Sequence, residues 1–280
     1  MEAMERDRGM NRRVRMLRAV SMETAPSISM ERALIETETY KMYEGRVSVP
    51  ELRALALYRY MENRTLYLGE GELIVGEKAG GPQQAPTFPE LCCHTLEDMR
   101  VMDARELISF KVSDEAMMAQ EDAVIPFWQG RTIREKLLAS MTREWKDCYE
   151  AGIFTEFMEQ RGPGHTVGSN KIYEKGFLDY KAEIETSLAA LDPLTDERAQ
   201  AKAEQLRAMA VACDAIMLLG SRYAALARER AAAEADPGRK AELLEIASNC
   251  DQVPAHAPKT YWQAIQMYWF VHLGVTTELN

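Results

Sequence analysis

The sequence predicts a mainly helical protein with a few short strands and two long ordered loops. Apolar residues recur three and four apart over most of the chain, and several of these stretches open on Ser- or Thr-led capping boxes. Strand-like composition is confined to one short run bounded by glycines.

In chain order, Arg6, Arg8, Arg12, Arg13, Arg15 and Arg18 alternate with Met16, Leu17 and Val20, a short amphipathic helix with a solvated basic face. The stretch from Met22 to Ser29 is polar and broken by proline, so no secretory signal follows. Ser29 can cap a helix running to about Tyr43, with Glu31 favourably near its N-terminus. Ser48-Val49-Pro50-Glu51 is a capping box with proline in the first turn, opening a helix to about Asn63. Glu72–Gly76 is the best strand candidate, and residues 79–91 form a loop rich in proline and glycine. Short helices are expected around 103–109, 114–121 and 125–150.

From Thr195 to about Ala235 the pattern is one long helix, about 60 Å if unbroken. Leu206, Met209, Cys213, Ile216, Gly220, Tyr223 and Ala227 form an a/d seam, short and rich in small residues, that suits internal packing over the alternative of an intermolecular coiled coil, with Gly220 permitting close backbone approach. Pro237-Gly238 ends it, and a helix from about Arg239 to Asn249 folds back as a hairpin. Thr260–Gln263 is a further capping box, opening a helix apolar nearly all round that Gly274 should stop. So apolar an element at the end of the sequence reads as a core helix lacking its covering layer, and the chain as a fragment.

Net charge is −10, which disfavours a nucleic-acid partner; apolar and charged fractions of 46% and 28% are those of a folded chain. No stretch reads as long enough to span a bilayer. Five cysteines without regular spacing fit free thiols in a reducing cytoplasm, the expected location. Cys92-Cys93-His94 resembles a set of metal ligands, but three consecutive residues cannot readily converge on one tetrahedral ion; no metal is expected. Gly69–Gly76 lacks the strand, loop, helix order of a nucleotide-binding loop. His256 and His272 read as structural.

The most informative stretch is Phe154–Gly168. An apolar and acidic segment runs into Arg161-Gly162-Pro163-Gly164, and the loop then presents His165. Two glycines around a proline fix a sharp backbone path, and an imidazole beyond it can donate to or accept from a ligand. By spacing alone, His165 reads equally as a histidine closing a surface turn.

Taken together, these segments resemble the amino-terminal part of glycyl radical enzymes of the pyruvate formate-lyase superfamily. The matching stretches include Ser21–Pro26, Ser29–Leu34, Glu62–Thr65, Glu72–Glu77, Ala85–Glu90, Ile125–Trp128, Pro254–His256 and Ala264–Phe270. Within it, Leu91–Thr95, Phe154–Arg161 and Gly164–Val167 look most like the branch that dehydrates trans-4-hydroxy-L-proline, although Gly162 stands where that branch has alanine. The resemblance implies that residues 1–280 are the helical amino-terminal portion of a ten-stranded α/β barrel. It also implies a glycyl radical, installed by an activating enzyme that uses S-adenosylmethionine and an iron–sulfur cluster. A cysteine then abstracts a substrate hydrogen, and a glutamate protonates the departing hydroxyl. By the same resemblance His165 and Phe157 line the substrate pocket, and the substrate is a small hydroxylated amino acid. Diol dehydration, C–N or C–S cleavage and acyl transfer are the superfamily alternatives; a non-catalytic helical scaffold is the alternative outside it.

The departure lies in the chemistry. None of the five cysteines lies in a Gly-Cys-x-Glu sequence, and the radical glycine loop is absent; Cys148-Tyr149-Glu150 lacks the leading glycine and reads as helix. The chain alone is therefore expected to be inactive, with no catalytic residue and no cofactor of its own. Its expected partners are the activating enzyme and a complementary carboxy-terminal fragment or a second copy, with neither nucleic acid nor membrane.

Overall fold

In a computed structural model the described residues are 10–154 and 167–278. They are mainly helical, as expected. The first helix, α1 (Arg12–Glu23), is capped by Asn11 and buries none of its residues. It leads through β1 (Ser27–Ser29) into α2 (Glu31–Tyr43) and α3 (Val49–Asn63). The box at Ser48 forms as predicted, with Glu51 answering the Ser48 backbone. Ser29 instead lies in β1, where Ser27, Ile28 and Ser29 pair in parallel with Gln84, Ala85 and Pro86 of β2, and α2 starts at Met30 with no side-chain cap.

Three further sequence expectations fail in this half. Glu72–Gly76 forms no strand; side chains of a distant helix, described below, take its carbonyls at Leu73, Val75 and Gly76. The helix expected at 103–109 lies earlier, as α4 (Leu96–Ala104), because Thr95 and Asp98 make a capping box and Arg105 turns extended. The helix expected over 125–150 is three. A run from α5 (Asp114–Ala119) through a π-helical turn (Gln120–Val124) to α6 (Ile125–Trp128) stops before Gly130, whose φ is +80°. Thr132 with Glu135 then caps α7 (Ile133–Ser140), and Thr142 caps α8 (Arg143–Glu150), which holds Cys148 and Glu150 in helix as expected.

The second half is a helical stack. A short α9 (Lys171–Glu174) precedes α10 (Phe177–Ala189), α11 (Ala199–Ala233), α12 (Pro237–Gln252) and α13 (Tyr261–Glu278). The long helix packs on α3, α10 and α12, which makes the predicted seam an internal one. Cys213, Ile216, Gly220, Tyr223 and Ala227 are buried, while Met209 at its start is not. A Cβ on Gly220 would lie 2.6 Å from Pro254 Cδ and 3.1 Å from the Val253 carbonyl, so the predicted close approach is real. Proline 237 opens α12 rather than ending α11, with Asp236 as its cap.

Two further expectations need correction. By length and composition α11, at 35 residues, is apolar enough to cross a membrane, contrary to the sequence reading; here its apolar residues form the core of the stack. Gly274 does not stop α13, which continues to Glu278. That glycine faces Ile216 Cδ1, which a Cβ would approach to 2.5 Å. His272 therefore lies more than a turn from the helix end, outside the strong reach of its macrodipole.

Candidate functional site

The two residues the family resemblance assigns to substrate, His165 and Phe157, lie outside the described residues. On one flank Phe154 packs on Trp145 and Tyr149, with ring centroids 4.9 and 6.0 Å away. On the other, Val167 packs with Ile172, Val253, Met267 and Val271. That cluster includes Met267 of α13, the helix that also lines a cleft among the described residues.

That helix holds an extended segment by side chains one turn apart. Trp262 Nε1 donates to the Leu73 carbonyl at 2.7 Å. Gln266 accepts from the Val75 N–H and donates to its carbonyl, both at 2.9 Å. Trp269 Nε1 donates to the Gly76 carbonyl at 2.8 Å. Three carbonyls and one N–H of the 73–76 backbone are thereby bonded without a neighbouring strand, which is why sequence pattern misassigned it. Gly76 has φ +126°, and a Cβ there would lie 2.5 Å from Leu273 Cδ1 and 3.1 Å from Trp269 Nε1. Gly76→Ala is therefore expected to cost about 1–3 kcal/mol through overpacking and to shift tryptophan emission; a urea midpoint equal to wild type would refute the constraint.

A cleft of about 940 Å³ lies between this segment, α1 and α13. Met16, Leu17 and Val20 of α1 face Trp269, His272 and Leu273 across it. Burial, reinforced by the charge of Glu72, pushes the Glu77 carboxyl on its wall up to about 7. The His272 ring stacks on Tyr268 and Trp269, with centroids 5.8 and 5.4 Å away. Its Nδ1 is shut off from solvent without a hydrogen-bond partner.

A concentration of charge joins α2, α13 and the 87–90 loop. Arg32, 2% exposed, forms a two-pronged pair with Glu90 at 2.6 and 3.1 Å. It also donates to the Thr277 carbonyl at 3.0 Å and the Thr87 carbonyl at 3.3 Å, and lies 4.2 Å over the Phe88 ring. Burial opposes its charge, but Glu90 and Glu36 more than offset that, and its pKa is raised. Glu36, 4% exposed, comes no nearer than 4.0 Å to the Arg32 guanidinium. Burial pushes its carboxyl from 4.5 up to about 8; Arg32 opposes the rise, while Glu90 and Glu278 add to it. The folded protein therefore keeps a proton here that the unfolded chain loses above about 4.5. Stability should fall as pH rises from there to about 8. Glu36→Gln is expected to flatten that slope and to be the more stable form at pH 9 by at least about 1 kcal/mol; parallel urea midpoints across the range would contradict it. Sequence reading missed both residues, whose visible signal is an Arg and a Glu four apart on a helix face shared with Ala33.

At Cys92-Cys93-His94, Gln120 Nε2 donates to the His94 carbonyl at 2.6 Å and to Cys93 Sγ at 3.6 Å. Burial, with the neighbouring Cys92, pushes the Cys93 thiol up to about 11, and burial raises those of Cys213 and Cys250 as well. Burial likewise lowers the His94 imidazole, favouring its neutral form. These thiols are protonated at neutral pH and poor nucleophiles.

The model of the pyruvate formate lyase-like family matches residues 6–280. The chain belongs to that family. It is 56% identical over 273 residues to trans-4-hydroxy-L-proline dehydratase from Clostridioides difficile, a match covering 98% of this chain and 35% of that protein. An isethionate sulfite-lyase from Desulfovibrio desulfuricans is 33% identical over 259 residues, covering 89% and 31%. The crystal structure of the Clostridioides difficile hydroxyproline dehydratase with its substrate superposes at TM-score 0.93, over 97% of this chain and 34% of that one. The glycerol-bound dehydratase from Clostridium butyricum superposes at 0.89 with 29% identity, over 97% and 34%. The chain thus spans about a third of the length of these relatives and corresponds to the amino-terminal part of glycyl radical enzymes.

Proposed function

We propose that this chain is the amino-terminal segment of a glycyl radical dehydratase acting on trans-4-hydroxy-L-proline or a close hydroxylated amino acid. The observation that carries this is the 56% identity over nearly the whole chain to a dehydratase of that substrate, against 33% to the sulfite-lyase. In the complete enzyme, residues 1–280 supply helices around a ten-stranded barrel and one wall of its pocket. There His165 hydrogen-bonds the substrate's polar groups and orients the departing hydroxyl, and Phe157 packs against the ring. The radical comes from an activating enzyme using S-adenosylmethionine and an iron–sulfur cluster; the abstracting cysteine, the acid–base glutamate and the radical glycine come from outside this segment. The setting is the cytoplasm, where thiol chemistry of this kind is kept reduced.

The test is a chimera in which residues 1–280 replace the matched third of the Clostridioides difficile enzyme. After activation it is expected to dehydrate trans-4-hydroxy-L-proline to a pyrroline carboxylate, while the 280-residue chain under the same conditions yields none. A folded, radical-bearing chimera that leaves the substrate untouched would overturn the reading.

A further inference from the structure

The adjacent thiols of Cys92 and Cys93 have no part in the function proposed above. Residues 92–95 belong to no helix or strand, and neither thiol is fully buried or in a disulfide. A direct bond between the two sulfurs is disfavoured. Consecutive Cα atoms lie about 3.8 Å apart, below the roughly 4.4–6.8 Å that an unstrained disulfide spans. One atom inserted between the sulfurs enlarges the ring and removes that strain. Cys93 packs against the apolar cluster around Met99 and Trp128. Gln120, 2% exposed on the π-helical turn, secures the stretch by donating to Cys93 Sγ at 3.6 Å and to the His94 carbonyl at 2.6 Å.

We propose that Cys92 and Cys93 form a chelating site for monosubstituted trivalent arsenicals. In the reaction the arsenic–oxygen double bond of R–As=O gives way to two arsenic–sulfur bonds, and both thiol protons leave with the oxygen as one water. Arsenic stays trivalent and no electron is transferred. Three-coordinate arsenic needs only two sulfurs beside its organic group, so this pair suffices where a tetrahedral metal ion would lack ligands. No thiolate has to accumulate. Burial, which disfavours the Cys93 thiolate, therefore slows alkylating reagents but does not oppose the net chelation. Once the first arsenic–sulfur bond forms, the second closes within one short stretch of backbone, at high effective concentration. Cys148, Cys213 and Cys250 have no neighbouring cysteine in the sequence. Gln120 can keep its N–H on the Cys93 sulfur, because the adduct leaves that sulfur a lone pair.

The experiment is intact-mass analysis of the folded 280-residue chain after phenylarsine oxide treatment at neutral pH in excess monothiol. A single adduct is expected, resistant to the monothiol and removed by dithiothreitol. Cys92→Ser and Cys93→Ser are each expected to lower its retention by about a hundredfold or more, the loss of the chelate's effective concentration. Cys148→Ser should leave retention unchanged. Cys93→Ala repeats the measurement with an apolar side chain, so that a packing defect of the serine cannot imitate the result. Retention by either serine variant would place the arsenic elsewhere and overturn the inference. An adduct that forms only in urea, or none that withstands the monothiol, would overturn it as well. None of these readouts involves the radical, so the outcome is independent of the dehydratase reading.

Discussion

Arg32→Ala is expected to lower folding stability by about 3–5 kcal/mol, the range for removing one partner from a buried ion pair. The reason is what stays behind. Without the guanidinium, the Glu90 carboxylate and the carbonyls of Thr87 and Thr277 lose their donors together, and Glu36 loses its nearest cation. Desolvated acceptors without donors cost more than the contact itself is worth. The proper comparison is Arg100→Ala, which breaks the exposed pair with Glu97 and should change stability by no more than about 0.5 kcal/mol. Urea midpoints read the difference. Matching losses in the two variants would show that the three-element clamp contributes nothing beyond surface charge.

The second large effect concerns activity. In the activated chimera His165→Ala is expected to reduce turnover of trans-4-hydroxy-L-proline by about a hundredfold, the size of effect attached to one positioning interaction at a reacting group. Stability should stay within about 0.5 kcal/mol, the expectation for the loop position that its Gly-Pro-Gly sequence predicts. Phe157→Leu should act more on KM, since it keeps apolar contact and loses only the planar surface. Unchanged kinetics for the His165 variant would remove the imidazole from the substrate site.

Much of the helical framework was legible because its determinants are local. The Ser48 box, the long helix around Gly220 and the hairpin after Pro237 are written in residues a few positions apart. Several failures came where the deciding partner is distant. Nothing near Glu72–Gly76 announces that Trp262, Gln266 and Trp269 will take its hydrogen bonds, so an extended segment looked like a strand. The helix at 96–104 lies earlier than expected because Thr95 and Asp98 cap it, with aspartate in place of the commoner glutamate or glutamine, and the break after Trp128 hangs on one glycine. Arg32 and Glu36 were passed over because a charged pair four apart normally faces water; only the meeting of α2, α13 and the 87–90 loop buries them. The family itself was legible in the order of short motifs along the chain, and the family comparison bears it out.

The stitching of residues 73–76 by α13 spans about 190 positions of sequence. A ribosome delivers those two partners far apart in time, so the carbonyls of Leu73, Val75 and Gly76 stay hydrated until α13 has emerged. Closing so long a loop carries an entropic cost that only the completed contact offsets, which places this contact after the helices between the two partners. A nascent chain halted before Trp262 would have built α3 and α11 yet left their shared flank uncovered, and such an intermediate is a natural client for chaperones.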